Sequence, residues 1–127
     1  MTREIGAFAG RHVLAELREI DPALLDDPAF LRDALRTSVS EAGATVCDVV
    51  GHRFVPQGVT VLALLAESHA SVHTYPEIGA LFADVFTCGD QADPELAVRL
   101  LAAALGTSAV EMSVVERGEK KSVTADR

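Results

Sequence analysis

The chain has 127 residues, 49% of them hydrophobic, with a mean hydropathy of +0.23, which is enough apolar mass for one packed domain over residues 1–127. A formal net charge of −8 and a pI near 4.8 argue against nucleic acid as a partner, because phosphate binding needs a basic patch and the longest basic cluster is Lys120-Lys121. No apolar run approaches the ~18 residues of a membrane span and no leader pattern opens the chain, so a cytoplasmic protein with no membrane partner is expected, and a cationic small molecule suits its field better.

The elements follow in chain order. "RHVLAELRE" (residues 11–19) alternates at period two, with Val13, Ala15 and Leu17 opposite His12, Leu14 and Glu16, and reads as a strand. "DDPAFLRDALRTSVSEAG" reads as a helix, with Asp27 as N-cap, Pro28 in the first turn and Gly43 beyond the end; Phe30, Leu31, Ala34, Leu35 and Val39 share one face. "TVCDVVGHRFVP" and "VTVLALLAE" are two strands rich in β-branched residues, separated by Pro56-Gln57-Gly58. Cys47 in the first of these is expected as a small buried residue, and both Cys47 and Cys88 as free thiols.

Next comes a polar run, "ESHASVHTYPE", then a strand "ALFADVFTCG", a second Asp-Pro helix "DPELAVRLLAAALG", a final strand "SAVEMSVVERG" and a tail "EKKSVTADR" expected to fray. Five strands and two helices in this order predict an α/β (α+β) fold. It is a two-layer sandwich, an antiparallel sheet with helices on one face, built from two βαβ-like half repeats. Each repeat has a helix opened by Asp-Pro and closed by Gly. The sheet then has a second, partly apolar face, which a second copy of the chain would cover.

The polar run crowds Glu67, Ser68, His69, Ser71, His73, Thr74, Tyr75 and Glu77 directly after a buried strand. A zinc site could use His69, His73 and Cys88, although the His-x-x-x-His spacing suits a helix and the local sequence favours extended chain. A Ser-His-acid hydrolase would need its nucleophile on a sharp turn flanked by glycines, which Glu67-Ser68-His69 lacks. A polar strand end with satisfied histidines is the third reading.

Glu67-Ser68-His69, His73-Thr74-Tyr75-Pro76-Glu77 and "DVFTCGD" together resemble the S-adenosylmethionine decarboxylase proenzymes of the short prokaryotic, pyruvoyl-dependent type. "GRHVLAEL", "DPALLDDPAFLRDAL", "HRFVPQGV" and "ADPELAVRLLAAALG" extend the resemblance over residues 10–117. It implies self-cleavage between Glu67 and Ser68 into segments 1–67 and 68–127, with Ser68 becoming a pyruvoyl group, so that the chain makes its own cofactor and needs no metal. The implied roles are His73 as proton acceptor in processing, Thr60 as its support, and Cys88 as the acid that reprotonates the substrate. Phe54 and Tyr75 would contact adenine and Glu77 the ribose. The substrate would be S-adenosylmethionine, decarboxylated to the aminopropyl donor of polyamine (spermidine) synthesis by a homodimer of cleaved protomers.

Three positions depart from the family's usual residues: Thr60 for serine, Tyr75 for tryptophan, and Arg18-Glu19-Ile20 where an aromatic residue and a cysteine are common. Two alternatives stand beside the resemblance. One is a pyruvoyl-dependent decarboxylase of arginine or ornithine, against which Phe54, Tyr75 and Glu77 argue. The other is an inactive regulatory homologue, against which Ser68, His73 and Cys88 argue.

Overall fold

Period-two alternation and two Asp-Pro caps account for most of the architecture of the chain, which is described over residues 8–118 in a computed structural model. The tail "EKKSVTADR" lies outside the described residues. Strand β1 (Ala9–Arg18) buries Val13, Ala15 and Leu17 on one side. Helix α2 (Pro28–Glu41), which follows a short α1 (Pro22–Leu25), buries Leu31, Ala34, Leu35 and Val39. After β2 (Val46–Arg53), β3 (Val59–Leu65), β4 (Ser68–Tyr75), a 3₁₀ turn (Pro76–Ile78) and β5 (Ala80–Cys88), helix α3 (Pro94–Ala104) leads into β6 (Ala109–Gly118).

The two longer helices start alike. The Asp27 carboxylate accepts from the Phe30 amide at 3.1 Å, and that of Asp93 accepts from the Glu95 and Leu96 amides at 3.1 Å. Each cap satisfies amides that the first turn leaves without a partner. Gly43 and Gly106 follow the helices with φ of +101° and +74°, a region that a side chain disfavours.

Every neighbouring strand pair is antiparallel, in the order β2-β3-β4-β5-β1-β6. Helix α2 carries the chain from β1 to β2 past three strands, and α3 carries it from β5 to β6 past β1. The apolar cluster lies between the sheet and the helices, with Leu31, Leu35, Val39, Val98 and Leu101 packed toward Val13, Leu17, Val61, Val72 and Leu81. Full burial of each such side chain is worth about 1.5–3 kcal/mol. Among the described residues no helix is long and apolar enough to cross a membrane.

Two expectations change. The polar run is a sixth strand, β4, with Ala70, Val72 and Thr74 toward the helices and His73 and Tyr75 outward; its outward residues are polar, which hides its period. Cys47 is exposed, because a register shift between Val46 and Asp48 turns it out of the ladder.

Thr74 is buried, and its hydroxyl accepts from the Val59 amide at 2.8 Å and donates to the Leu25 carbonyl at 2.7 Å. It thereby ties β4 to the start of β3 and to the end of α1. Thr74→Val keeps the shape and strands both partners, so unfolding in urea is expected to show a loss of about 1–3 kcal/mol; an unchanged midpoint would contradict this role.

Candidate active site

The link between β3 and β4 is only Ala66 and Glu67, and it is pinned from the loop before β2. The Ala66 amide donates to the Thr45 carbonyl at 2.9 Å, while the Thr45 amide and hydroxyl donate to the Glu67 carboxylate at 3.0 and 3.2 Å. Glu67 is only 2% exposed, and these donors replace the water it gives up. Its backbone carbonyl accepts from the Cys88 amide at 3.1 Å. The Ser68 hydroxyl, on the next residue, lies 3.2 Å from Nδ1 of His69.

Cys88 ends β5 opposite Gly10 of β1. A Cβ at Gly10 would come within 2.5 Å of the Thr87 carbonyl and 3.0 Å of the Phe86 ring, so only glycine allows β1 to pass this close.

The sheet face away from the helices carries a hydrogen-bonded chain of side chains. His69, Phe86, His12 and Val115 form one cross-strand row, and Leu62, Ser71, Asp84, Leu14 and Ser113 form the next. Asp84 Oδ2 lies 2.7 Å from His12 Nε2 and 3.0 Å from His69 Nε2, and Oδ1 accepts from the Ser71 hydroxyl. Partial burial pushes the Asp84 carboxyl up, but the bonds from Ser71, His12 and His69 outweigh it and hold the group below the ordinary aspartate value. Arg117 donates to His12 Nδ1 at 3.0 Å, with its guanidinium carbon 4.5 Å from the centre of the Phe86 ring.

A second cluster occupies the other end of β4. Thr60 and His73 face each other across β3 and β4, with Thr60 Oγ1 3.1 Å from His73 Nδ1 and the Ser71 hydroxyl 3.4 Å from His73 Nε2. Phe54, Gly58, Thr60, His73, Tyr75 and Glu77 line a cleft of about 340 Å³. Tyr75 packs edge-on to Phe82 at 5.3 Å and Phe54 to His52 at 4.6 Å. The loop that bears Phe54 is held by Asp26, which accepts from Arg53 at 2.7 Å and from the Gly58 amide at 3.0 Å. These two donors keep its carboxyl below the ordinary value.

Arg18-Glu19-Ile20 supports this end. The Ile20 amide donates to the Gly79 carbonyl at 3.0 Å, the Arg18 carbonyl accepts from the Thr107 hydroxyl at 2.5 Å, and Glu19 turns the chain with a φ of +61°. The segment thereby seats the 3₁₀ turn that carries Glu77.

The residues singled out from sequence therefore fall into two groups. Glu67, Ser68 and Cys88 lie at one end of β4, and Phe54, Thr60, His73, Tyr75 and Glu77 lie toward the other. At a rise of about 3.3 Å per residue, Ser68 stands roughly 17 Å from His73 and roughly 23 Å from Tyr75 along the strand. His69, His73 and Cys88 consequently do not converge on one metal. Among the described residues the groups that do converge are His12, His69 and Asp84, whose ligand atoms lie within 4.8 Å of one another. They could hold a divalent cation, although here they hydrogen-bond among themselves.

Sequence reasoning missed Thr45, His12, Asp84 and Arg117. The available signal was an imidazole, His12, on the outward side of β1 and a carboxylate, Asp84, at an outward position of the otherwise largely apolar β5.

Comparison with known proteins places the fold and the family. A family model described as S-adenosylmethionine decarboxylase matches residues 11–118. The S-adenosylmethionine decarboxylase proenzyme of Prochlorococcus marinus (strain MIT 9313) is 56% identical over 99 residues, which is 78% of this chain and 79% of that protein. Proenzyme 2 of Halalkalibacterium halodurans is 40% identical over 109 residues, 86% of each. The crystal structure of the adenosylmethionine decarboxylase from Aquifex aeolicus VF5 superposes with a TM-score of 0.81 at 35% identity, covering 88% of this chain and 92% of that one. With a family model over nearly all the described residues and relatives well above 30% identity, the chain belongs to the S-adenosylmethionine decarboxylase family.

Proposed function

We propose that the chain is the precursor of a pyruvoyl-dependent S-adenosylmethionine decarboxylase that cuts itself between Glu67 and Ser68 and works as a homodimer. Its product would be the aminopropyl donor of polyamine synthesis. The observation that carries this reading is the scissile carbonyl: Glu67 O takes the Cys88 amide at 3.1 Å, and the next residue in the chain is Ser68. An amide aimed at a carbonyl oxygen stabilises the charge that develops there when a neighbouring hydroxyl attacks. Attack converts the peptide bond to an ester, and removal of the Ser68 Cα proton then breaks the Cβ–Oγ bond and expels the backbone α-carboxylate of Glu67 as a new C-terminus. Hydrolysis of the resulting dehydroalanine releases ammonia and leaves a pyruvoyl end. The residues present fit such a group, since Ser68 supplies its atoms and Thr45 holds the departing Glu67 in place.

The separation along β4 argues for two copies. In one chain neither His73 nor the cleft of Phe54, Tyr75 and Glu77 reaches Ser68. A two-fold pairing of the open sheet faces would set each Ser68 against the partner's His73 and cleft. The same face exposes Leu14, Val50, Leu62, Leu64 and Phe82 to between 44% and 56%, apolar area that such pairing covers. The partner's His73, held by the partner's Thr60, takes the Cα proton.

In the mature site the pyruvoyl carbonyl would capture the substrate α-amine and accept the electrons released with carbon dioxide. Cys88 holds a proton on Sγ for return to the substrate Cα. Phe54 and Tyr75 offer aromatic faces to adenine and to the sulfonium cation, and Glu77 accepts from the ribose hydroxyls. A free basic amino acid needs none of these three.

Purified protein is expected to run as fragments 1–67 and 68–127, the second blocked at its N-terminus, and Ser68→Ala to stay whole. Co-expressing Ser68→Ala with His73→Ala tests the pairing, since only a mixed dimer joins an intact Ser68 to an intact His73. Cleavage of the His73→Ala chain is expected in the mixture and not in that variant alone; equal, slow cleavage in both would refute the trans arrangement.

For the substrate, Glu77→Gln removes a charge-assisted hydrogen bond of about 1.5–3 kcal/mol, so KM for S-adenosylmethionine is expected to rise roughly 10- to 150-fold. Cys88→Ala is expected to lower kcat with KM nearly unchanged. Faster release of carbon dioxide from labelled arginine or ornithine than from S-adenosylmethionine would sink this assignment.

A further inference from the structure

The protons of the open-face chain can be assigned from its ends. Arg117 can only donate, so His12 Nδ1, 3.0 Å away, accepts and is unprotonated. The hydrogen of His12 therefore sits on Nε2 and points at Asp84 Oδ2, 2.7 Å away. An ionised carboxylate only accepts, so His69 must also present an N–H from Nε2 across its 3.0 Å contact with the same oxygen. In neutral His69 this leaves the lone pair on Nδ1, and Nδ1 faces the Ser68 hydroxyl at 3.2 Å. Asp84 is fixed as a charged acceptor by the additional hydroxyl of Ser71.

We infer that His69, oriented by Asp84, is the base that takes the Ser68 hydroxyl proton when the precursor cuts itself. The inference rests on the proposed cleavage before Ser68 and adds to it a second imidazole with a different task. The Ser68 Oγ–H proton passes to His69 Nδ1 as Oγ bonds to the Glu67 carbonyl carbon. The C–N bond then breaks and the same proton returns from Nδ1 to the Ser68 nitrogen. Amide becomes ester plus amine with no net gain or loss of protons. The Cys88 amide holds the oxyanion throughout. His69 thus serves acyl transfer within one chain, and the partner's His73 serves the later removal of the Cα proton.

Cell-free synthesis catches the precursor before it cuts, and gel electrophoresis follows the appearance of fragments 1–67 and 68–127. General-base catalysis contributes about 10²–10⁴-fold, so His69→Ala and His69→Gln are expected to cut at least about 100-fold more slowly than the wild type. Added imidazole is expected to restore cutting in His69→Ala and not in His69→Gln, which fills the space without a basic nitrogen. Asp84→Asn, which no longer fixes the ring, is expected to slow cutting as well. Hydroxylamine cleaves esters, so it should release fragments from His73→Ala precursor, where the ester accumulates, and not from His69→Ala.

Wild-type cutting rates in His69→Gln would overturn the inference while leaving self-cleavage intact, as would hydroxylamine-labile ester in His69→Ala equal to that in His73→Ala. If His69→Ala fails to fold by circular dichroism, His69→Gln and Asp84→Asn decide, and unchanged cutting in both overturns it. A wild-type chain that stays whole overturns the underlying cleavage and this inference with it.

Discussion

Both helices lie against the same side of the sheet, so alternate residues of every strand meet different surroundings. On the covered side, Val13, Val61, Val72 and Leu81 pack with α2 and α3. On the other, a carboxylate can stand in the middle of β5 only because its neighbours on β4 and β1 supply donors. Asp84 is partly desolvated, which alone would favour its protonated form, and three side-chain hydrogen bonds more than offset that. Since its folded pKa is depressed, its contribution to stability is present above the unfolded value and lost as pH falls through the folded one. The arrangement of Ser68, His69 and His12 depends on that charge persisting.

The same one-sided packing explains why the candidate groups are divided. A strand places residues on one face every second position, so the outward groups of β4 are strung along its length and cannot gather around one point. His69 and Ser71 serve one end, and His73 and Tyr75 the other. The β-hairpin with β3 reinforces the division, since Thr60 meets His73 while Leu64 meets His69. The proposed site, made from both ends, would need an antiparallel copy, and the apolar residues between the ends would give that copy something to pack on.

Much of this could be read from the sequence because local rules and global fold agree there. The Asp-Pro starts at Asp27 and Asp93 and the glycines at Gly43 and Gly106 each act within a few residues, so local sequence fixes both longer helices nearly to the residue. The blocks around Ser68, His73 and Cys88 gave the family. What was not legible depended on strand neighbours far apart in sequence. His12 and Asp84 are separated by 72 positions and meet only through the β1–β5 register, and the exposure of Cys47 arises from a register shift that no local pattern announces. That Ser68 and His73 sit far apart follows from β4 being a full strand, Ser68–Tyr75, whose polar outward residues hide its period.

The two-residue link at Ala66 and Glu67 joins adjacent strands near the centre of the sheet, and a cut there separates more than two fragments of sequence. The first fragment would hold β1, α1, α2, β2 and β3, and the second would hold β4, β5, α3 and β6. In the sheet order, β1 of the first fragment lies between β5 and β6 of the second. The fragments are therefore interleaved, and neither can leave without dismantling ladders on both sides of β1. While the link is intact, pairing β3 with β4 closes only a tight loop. Once it is cut, an unfolded protomer must regain that pairing by encounter between two molecules, so its recovery depends on concentration. On the proposed cleavage, the uncut chain would be the form that can fold by itself, and maturation would trade refoldability for a locked, long-lived assembly.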